Sequence, residues 1–127
     1  MHDFRKLRVW GDSLDVATRI YSVAASLPDR ERFGLRSQME RAVASIGANI
    51  AEGRLRSTDA DFCRFLQYAI GSTAEVEHFL ELAVRLDLLR DSLLKDELPP
   101  LQKLRGSLVG LVKSIKQSPS ERFPHDA

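Results

Sequence analysis

Leu35-Arg36-Ser37-Gln38-Met39-Glu40-Arg41-Ala42-Val43-Ala44-Ser45-Ile46-Gly47-Ala48-Asn49-Ile50-Ala51-Glu52-Gly53-Arg54 is the stretch that decides the fold. Leu35, Met39, Ala42, Ile46, Ile50 and Gly53 recur at steps of three and four, the seam of a helix packed into a bundle. Between Ala42 and Ala51 no residue is charged, and Ala44, Gly47, Ala48 and Ala51 fill the opposite face. A helix without charge on any side is expected to be buried on every side, because its outer face has nothing to hold water. Small residues there would let another backbone approach closely.

The same periodicity marks three more helices. One is predicted over Ser13 to Leu27, with Asp12 or Ser13 capping its free N–H groups and a broad apolar arc from Leu14, Val16, Ala17, Ile20, Tyr21, Val23, Ala24 and Leu27. A long amphipathic helix follows Thr58, whose hydroxyl can cap while Asp59 and Asp61 favour the positive end of the helix dipole. Phe62, Phe65, Leu66, Ala69, Thr73, Val76, Leu80, Ala83 and Leu86 line its core side. The last helix is expected to begin at Pro99-Pro100, since proline suits a first turn and breaks an interior, and to run to about Lys116. Gly and Pro lie mostly between these segments, and no strand-like alternation persists. The expectation is an all-α, up-down four-helix bundle, with residues 1–118 as one domain and 119–127, holding Pro119 and Pro124, as a flexible tail.

Composition narrows the class. A chain of 127 residues forms one domain that buries roughly two-thirds of its unfolded surface. One cysteine, Cys63, permits no intrachain disulfide. No apolar run approaches the roughly 20 residues of a membrane span, and Met1-His2-Asp3-Phe4-Arg5-Lys6 is no signal peptide, so a cytoplasmic protein without membrane partners is expected.

Catalytic chemistry is thinly represented. There is no phosphate-cradling glycine loop and no Gly-x-Ser-x-Gly turn. Glu75-Val76-Glu77-His78 has the spacing of a di-iron ligand pair, but such a centre needs a second copy, and the other histidines, His2 and His125, are terminal. Counting back from His78 or His125 finds no arginine at the spacing of bundle ribonucleases. Neither enzyme activity nor a cofactor is expected.

Two constellations remain. Gln38, Arg41, Ser45, Asn49 and Glu52 form a polar line beside the apolar seam. Folding the third helix back antiparallel sets Arg41 level with Ser72 and Glu75, which predicts an Arg41–Glu75 pair, with Asn49 and Glu52 bonding to backbone or a neighbouring chain. Arg41, Asn49, Glu52, Ser72 and Glu75 then form a network that fixes helix register, the alternative being a polar binding pocket. Charges are also sorted: acids cluster from Glu75 to Glu97, whereas Lys103, Arg105, Lys113 and Lys116 share the fourth helix, with Arg54 and Arg56 near the second turn. Such a basic face could neutralise nucleic-acid phosphates despite a formal net charge of only +1.

The segments Ser45-Ile46-Gly47-Ala48-Asn49-Ile50-Ala51-Glu52-Gly53, Phe62-x-x-Phe65-Leu66 and Gly71-Ser72-x-x-Glu75 resemble the 23S rRNA-intervening sequence protein family. Phe4 to Trp10 and Phe33 to Ala42 match it too, so the likeness covers Phe4 to Leu89. The resemblance implies a left-handed bundle, a homopentameric ring and no catalysis, with RNA or an RNA-processing protein as partner. A related group, the accessory variability determinant proteins of diversity-generating retroelements, comprises basic pentamers that bind a reverse transcriptase and nucleic acid. Those are more basic than this chain.

Overall fold

A computed structural model describes residues 3–117. Four α-helices follow one another: α1 (Arg8–Ala25), α2 (Leu35–Arg54), α3 (Asp59–Arg85) and α4 (Ser92–Gln117). Short 3₁₀ turns at Phe4–Lys6 and Asp29–Glu31 precede α1 and α2. Among the described residues every regular element is helical. Neighbours in sequence are neighbours in space: the α2/α3 pairing is the most extensive and α1/α4 the slightest. The connections are short, so the result is an up-down bundle. The tail expected from residue 119 lies outside the described residues.

The predicted α2 is found with both ends in place. All six of its seam residues are buried around Phe62, Leu66, Leu80, Leu101 and Leu108. Thr58 caps α3 as expected, its Oγ1 accepting from the Asp61 N–H at 3.1 Å.

Helix α1 starts a turn and a half earlier than its composition suggests. Neither Asp12 nor Ser13 is its cap; Leu7 stands there without a side-chain bond. The chain is instead nucleated upstream, where Asp3 Oδ1 accepts the Arg5 N–H at 3.0 Å and the Phe4 ring meets Trp10 edge-on at 5.2 Å. Burial of Leu7 and Val9 then carries the helix through Gly11. Ser13 is left inside the bundle, and its hydroxyl donates to the Trp10 carbonyl at 2.5 Å.

Helix α4 is also longer than expected. It runs unbroken from Ser92, with Pro99 and Pro100 in its interior. A proline at position 100 cannot donate to the carbonyl four residues back, that of Asp96. Arg19 of α1 supplies the missing donor: its Nη2 lies 3.0 Å from the Asp96 carbonyl, and its Nε lies 2.9 Å from Glu97 Oε1.

Two glycines set the helix spacing. A Cβ on Gly47 would stand 2.7 Å from Ser13 Oγ, and one on Gly53 would stand 2.7 Å from Phe65 Cβ and 3.3 Å from the Phe62 carbonyl. Helices α1 and α3 are drawn against α2 at these points. The uncharged run of α2 is not buried all round, however. Ala44 and Ala48 are exposed and Ala51 is half-buried, because no other helix among the described residues covers that face.

Candidate functional site

The polar line of α2 faces α3, and its centre is one contact. The Ser45 hydroxyl shares a 2.6 Å hydrogen bond with the hydroxyl of buried Ser72. This pairing shows α2 and α3 antiparallel, with Ser72 level with Ser45, one turn along α2 from the Arg41 expected there. The wider network is smaller than predicted. Asn49 Nδ2 does find a backbone partner, donating to the Ser45 carbonyl at 2.8 Å, but within its own helix. Glu52 accepts from Arg56 Nη2 at 2.6 Å, four residues on. Arg41 and Glu75 are both exposed, and no Arg41–Glu75 ion pair is present among the described residues. At a solvated surface such a pair would gain at most about 1 kcal/mol, too little to fix two long side chains.

The basic residues do not form one face. Arg54 is only 4% exposed, with its guanidinium 5.8 Å from the Phe62 ring, which removes it from any surface contact with phosphate. Arg105 is joined to Glu77 of α3. Lys103 lies on the other flank, in a depression shared with Asp12 and Asp15 of α1. Lys113 and Lys116 are exposed near the end of α4. At 3.6 residues per turn Arg105, Lys113 and Lys116 fall within about 80° of arc, so helical geometry sets only Lys103 apart, and Arg105 is withdrawn by its partner Glu77.

Arg56 takes part in a cluster that sequence reasoning did not assemble. Its guanidinium sits 4.7 Å from the Phe65 ring, and that of Arg64 sits 5.1 Å from the same ring and 6.0 Å from Tyr68. Tyr68 meets Phe65 edge-on at 5.6 Å and is 49% exposed. The spacing Arg64-Phe65-x-x-Tyr68 on a helix was the available signal.

Cys63 forms the floor of an adjacent cleft of about 430 Å³ between α3 and α4, with Arg64, Gln67, Ile115 and Lys116 on its walls. Cys63 is buried. Burial pushes its pKa up, Lys116 pulls it down in part, and Asp59 pushes it up further. A protonated thiol is a poor nucleophile. Glu75 and His78 are exposed, and no group of three or more metal-ligating side chains occurs among the described residues. No helix among them is long and apolar enough to cross a membrane.

The remaining feature is apolar. Between α1 and α2 runs a groove of about 370 Å³, walled by Phe4, Trp10, Leu14 and Ala17 on one side and by Ala44, Ala48 and Ala51 on the other. Its floor is Val43, Gly47 and Ser13, and no charged side chain lines it. Leu14 is 44% exposed at its edge.

Comparison with known proteins places the chain in a family. The sequence pattern that defines the 23S rRNA-intervening sequence proteins matches residues 5–110. The chain belongs to that family. The match reaches into α4, beyond the segments whose resemblance was legible by motif. A crystal structure similar to this 23S rRNA-intervening sequence protein is that of a protein of unknown function from the S23 ribosomal protein family of Bacteroides thetaiotaomicron. It is 28% identical, with a TM-score of 0.76, covering 83% of this chain and 98% of that one. No protein of curated function matches the chain.

Proposed function

We propose that this protein is a self-assembling helical module without catalytic activity of its own, and that its copies close into a ring of about five. The observation that carries this reading is the charge-free α1/α2 groove, lined by exposed Ala44 and Ala48 and edged by Leu14 and Trp10. An uncharged helix face left open to water is a face that a partner covers. A second copy is the natural occupant, since small side chains at Ala44, Gly47 and Ala48 admit a close-packed helix of the same kind. The homopentameric state implied by the family resemblance supports the closed ring. Ala48→Glu places a charge in the groove without touching the bundle core. Sedimentation should show that variant dissociated while its circular dichroism stays helical. Undiminished assembly of Ala48→Glu would set this interface aside.

A second reading, nucleic-acid binding, is favoured by the Arg56–Phe65–Arg64–Tyr68 cluster, together with Lys113 and Lys116 at the same end of the bundle. Guanidinium planes and an exposed tyrosine offer stacking surfaces to unpaired bases. This moves the candidate contact away from the fourth-helix face of Lys103 and Arg105. Fluorescence anisotropy with single-stranded RNA should then fall steeply with salt, and Arg56→Ala with Arg64→Ala should flatten that slope by about two charges. Binding indifferent to both substitutions would discard the reading.

A further inference from the structure

The cleft between α3 and α4 joins an apolar interior to polar side chains that hold nothing in the fold. Ala60, Cys63 and Ile115 make it apolar, and its volume of about 430 Å³ falls in the range of sites for small organic groups, roughly 300–1,000 Å³. Gln67 and Lys116 stand on its walls, together with Asp59. The Gln67 amide is exposed and makes no hydrogen bond among the described residues. Lys116 and Lys113, one turn before it, have no ion-pair partner among them.

Arg64 links this cleft to the aromatic cluster. It lines the cleft, and its guanidinium also lies 5.1 Å from the Phe65 ring and 6.0 Å from Tyr68. Around α3, positions 67 and 68 stand about 100° apart with position 64 between them. The cleft and the exposed Tyr68 ring therefore flank the Arg64 side chain on the outer face of one helix. Acids are present too. Glu52 is joined to Arg56 at 2.6 Å and Asp61 to Arg64 at 3.2 Å. With those pairs set aside, Lys113 and Lys116 stand against Asp59.

We infer that the cleft takes one unpaired base of a single-stranded nucleic acid whose chain crosses the outer face of α3. The inference rests on the nucleic-acid reading above and adds to it the seat of one base. A base has flat apolar faces to lie against Ala60 and Ile115. Its edge carries both N–H and acceptor groups, which the Gln67 amide can accept from and donate to, while the Asp59 carboxylate accepts only. Its phosphate stays outside, within the field of Lys113, Lys116 and Arg64. A neighbouring base of the same strand then meets the Tyr68 ring. An alkyl ligand would leave the Gln67 amide unused, and a bare phosphate would leave the apolar interior unused. A duplex is excluded from the cleft because its bases are already stacked and paired.

The thiol of Cys63, inside the cleft, reports occupancy. Its reaction with methyl methanethiosulfonate, a small uncharged reagent, should slow in proportion to the fraction of protein bound to a short single-stranded RNA of mixed sequence. Ala60→Phe fills the cleft from an exposed position and should weaken that binding ~10-fold by anisotropy, the worth of one stacked base, with its helical circular dichroism and its salt slope unchanged. Gln67→Ala should weaken it ~3-fold. RNA that binds but leaves Cys63 as reactive as in the free protein, or binds both variants as tightly as wild type, would overturn the inference and leave the nucleic-acid reading standing. So would equal protection by a duplex of the same sequence. Nucleoside monophosphates that protect Cys63 where the RNA does not would assign the cleft to a free nucleotide and overturn the strand. An RNA that fails to bind even at low salt would overturn the reading and the inference together.

Discussion

Arg19 of α1 donates from Nη2 to the backbone carbonyl of Asp96 in α4, at 3.0 Å, and so occupies the acceptor that Pro100 leaves unserved. Its Nε holds the mostly shielded Glu97 carboxylate at 2.9 Å. This is a charge-assisted bridge along the slightest of the helix pairings. It compensates for one of the two adjacent prolines that sit inside a continuous helix.

Arg19→Ala should therefore destabilise the fold by about 1–3 kcal/mol, more than an exposed arginine ordinarily would. Pro100→Ala restores an N–H for the Asp96 carbonyl, so the Arg19→Ala loss should shrink in that background. A double-mutant cycle in urea reads the coupling directly. Additive effects would show that Arg19 acts only through Glu97.

Gly47 and Gly53 should respond differently to alanine. At Gly47 the new Cβ meets only the hydroxyl of Ser13 closely, at 2.7 Å, with the next atom at 3.7 Å. Gly47→Ala should cost about 1–3 kcal/mol, and Ser13→Ala should recover most of it, helped by the better helix propensity of alanine. At Gly53 the obstacles are Phe65 Cβ and the Phe62 carbonyl, which cannot turn away. Gly53→Ala should cost more, and no single substitution at a side-chain tip should relieve it. Thermal unfolding of the four variants checks both statements.

Legibility differed between elements for identifiable reasons. Helix α2 was readable to the residue because its seam, its bounding Gly34 and its terminal Arg54 are all local signals. The early start of α1 was hidden by Gly11 and by a stabilisation from Phe4 and Trp10 that a helix-period scan does not weigh. The passage of α4 through Pro99-Pro100 is supported at the Asp96 carbonyl by Arg19, a contact between distant parts of the sequence. Of the polar line of α2 only Ser45 bonds to α3, and it does so one turn from the expected level, because antiparallel folding fixes the direction of the pairing but not its register to within a turn. The fate of Arg41 and Arg54 was not readable, because helical spacing gives a direction but not the depth of the neighbouring surface. Arg54 turned inward over Phe62 and Arg41 stayed in water.

Cys63 offers a pH-dependent check on the cleft. Burial raises its thiol pKa, outweighing the opposing pull of Lys116. The rate of reaction with a disulfide reagent should therefore rise with a midpoint above the roughly 8.5 of a free cysteine. Lys116→Ala removes the cation that favours the thiolate, so it should move that midpoint higher and slow the reaction at fixed pH. A faster reaction in that variant would mean that the lysine chiefly shields the thiol.

The central claim is that the open α1/α2 face is covered by further copies of the same chain. Sedimentation equilibrium of the wild-type protein at micromolar concentration tests it most directly. The account predicts a single species of about five times the 14.3 kDa of one chain, and a stable monomer at that concentration would contradict it.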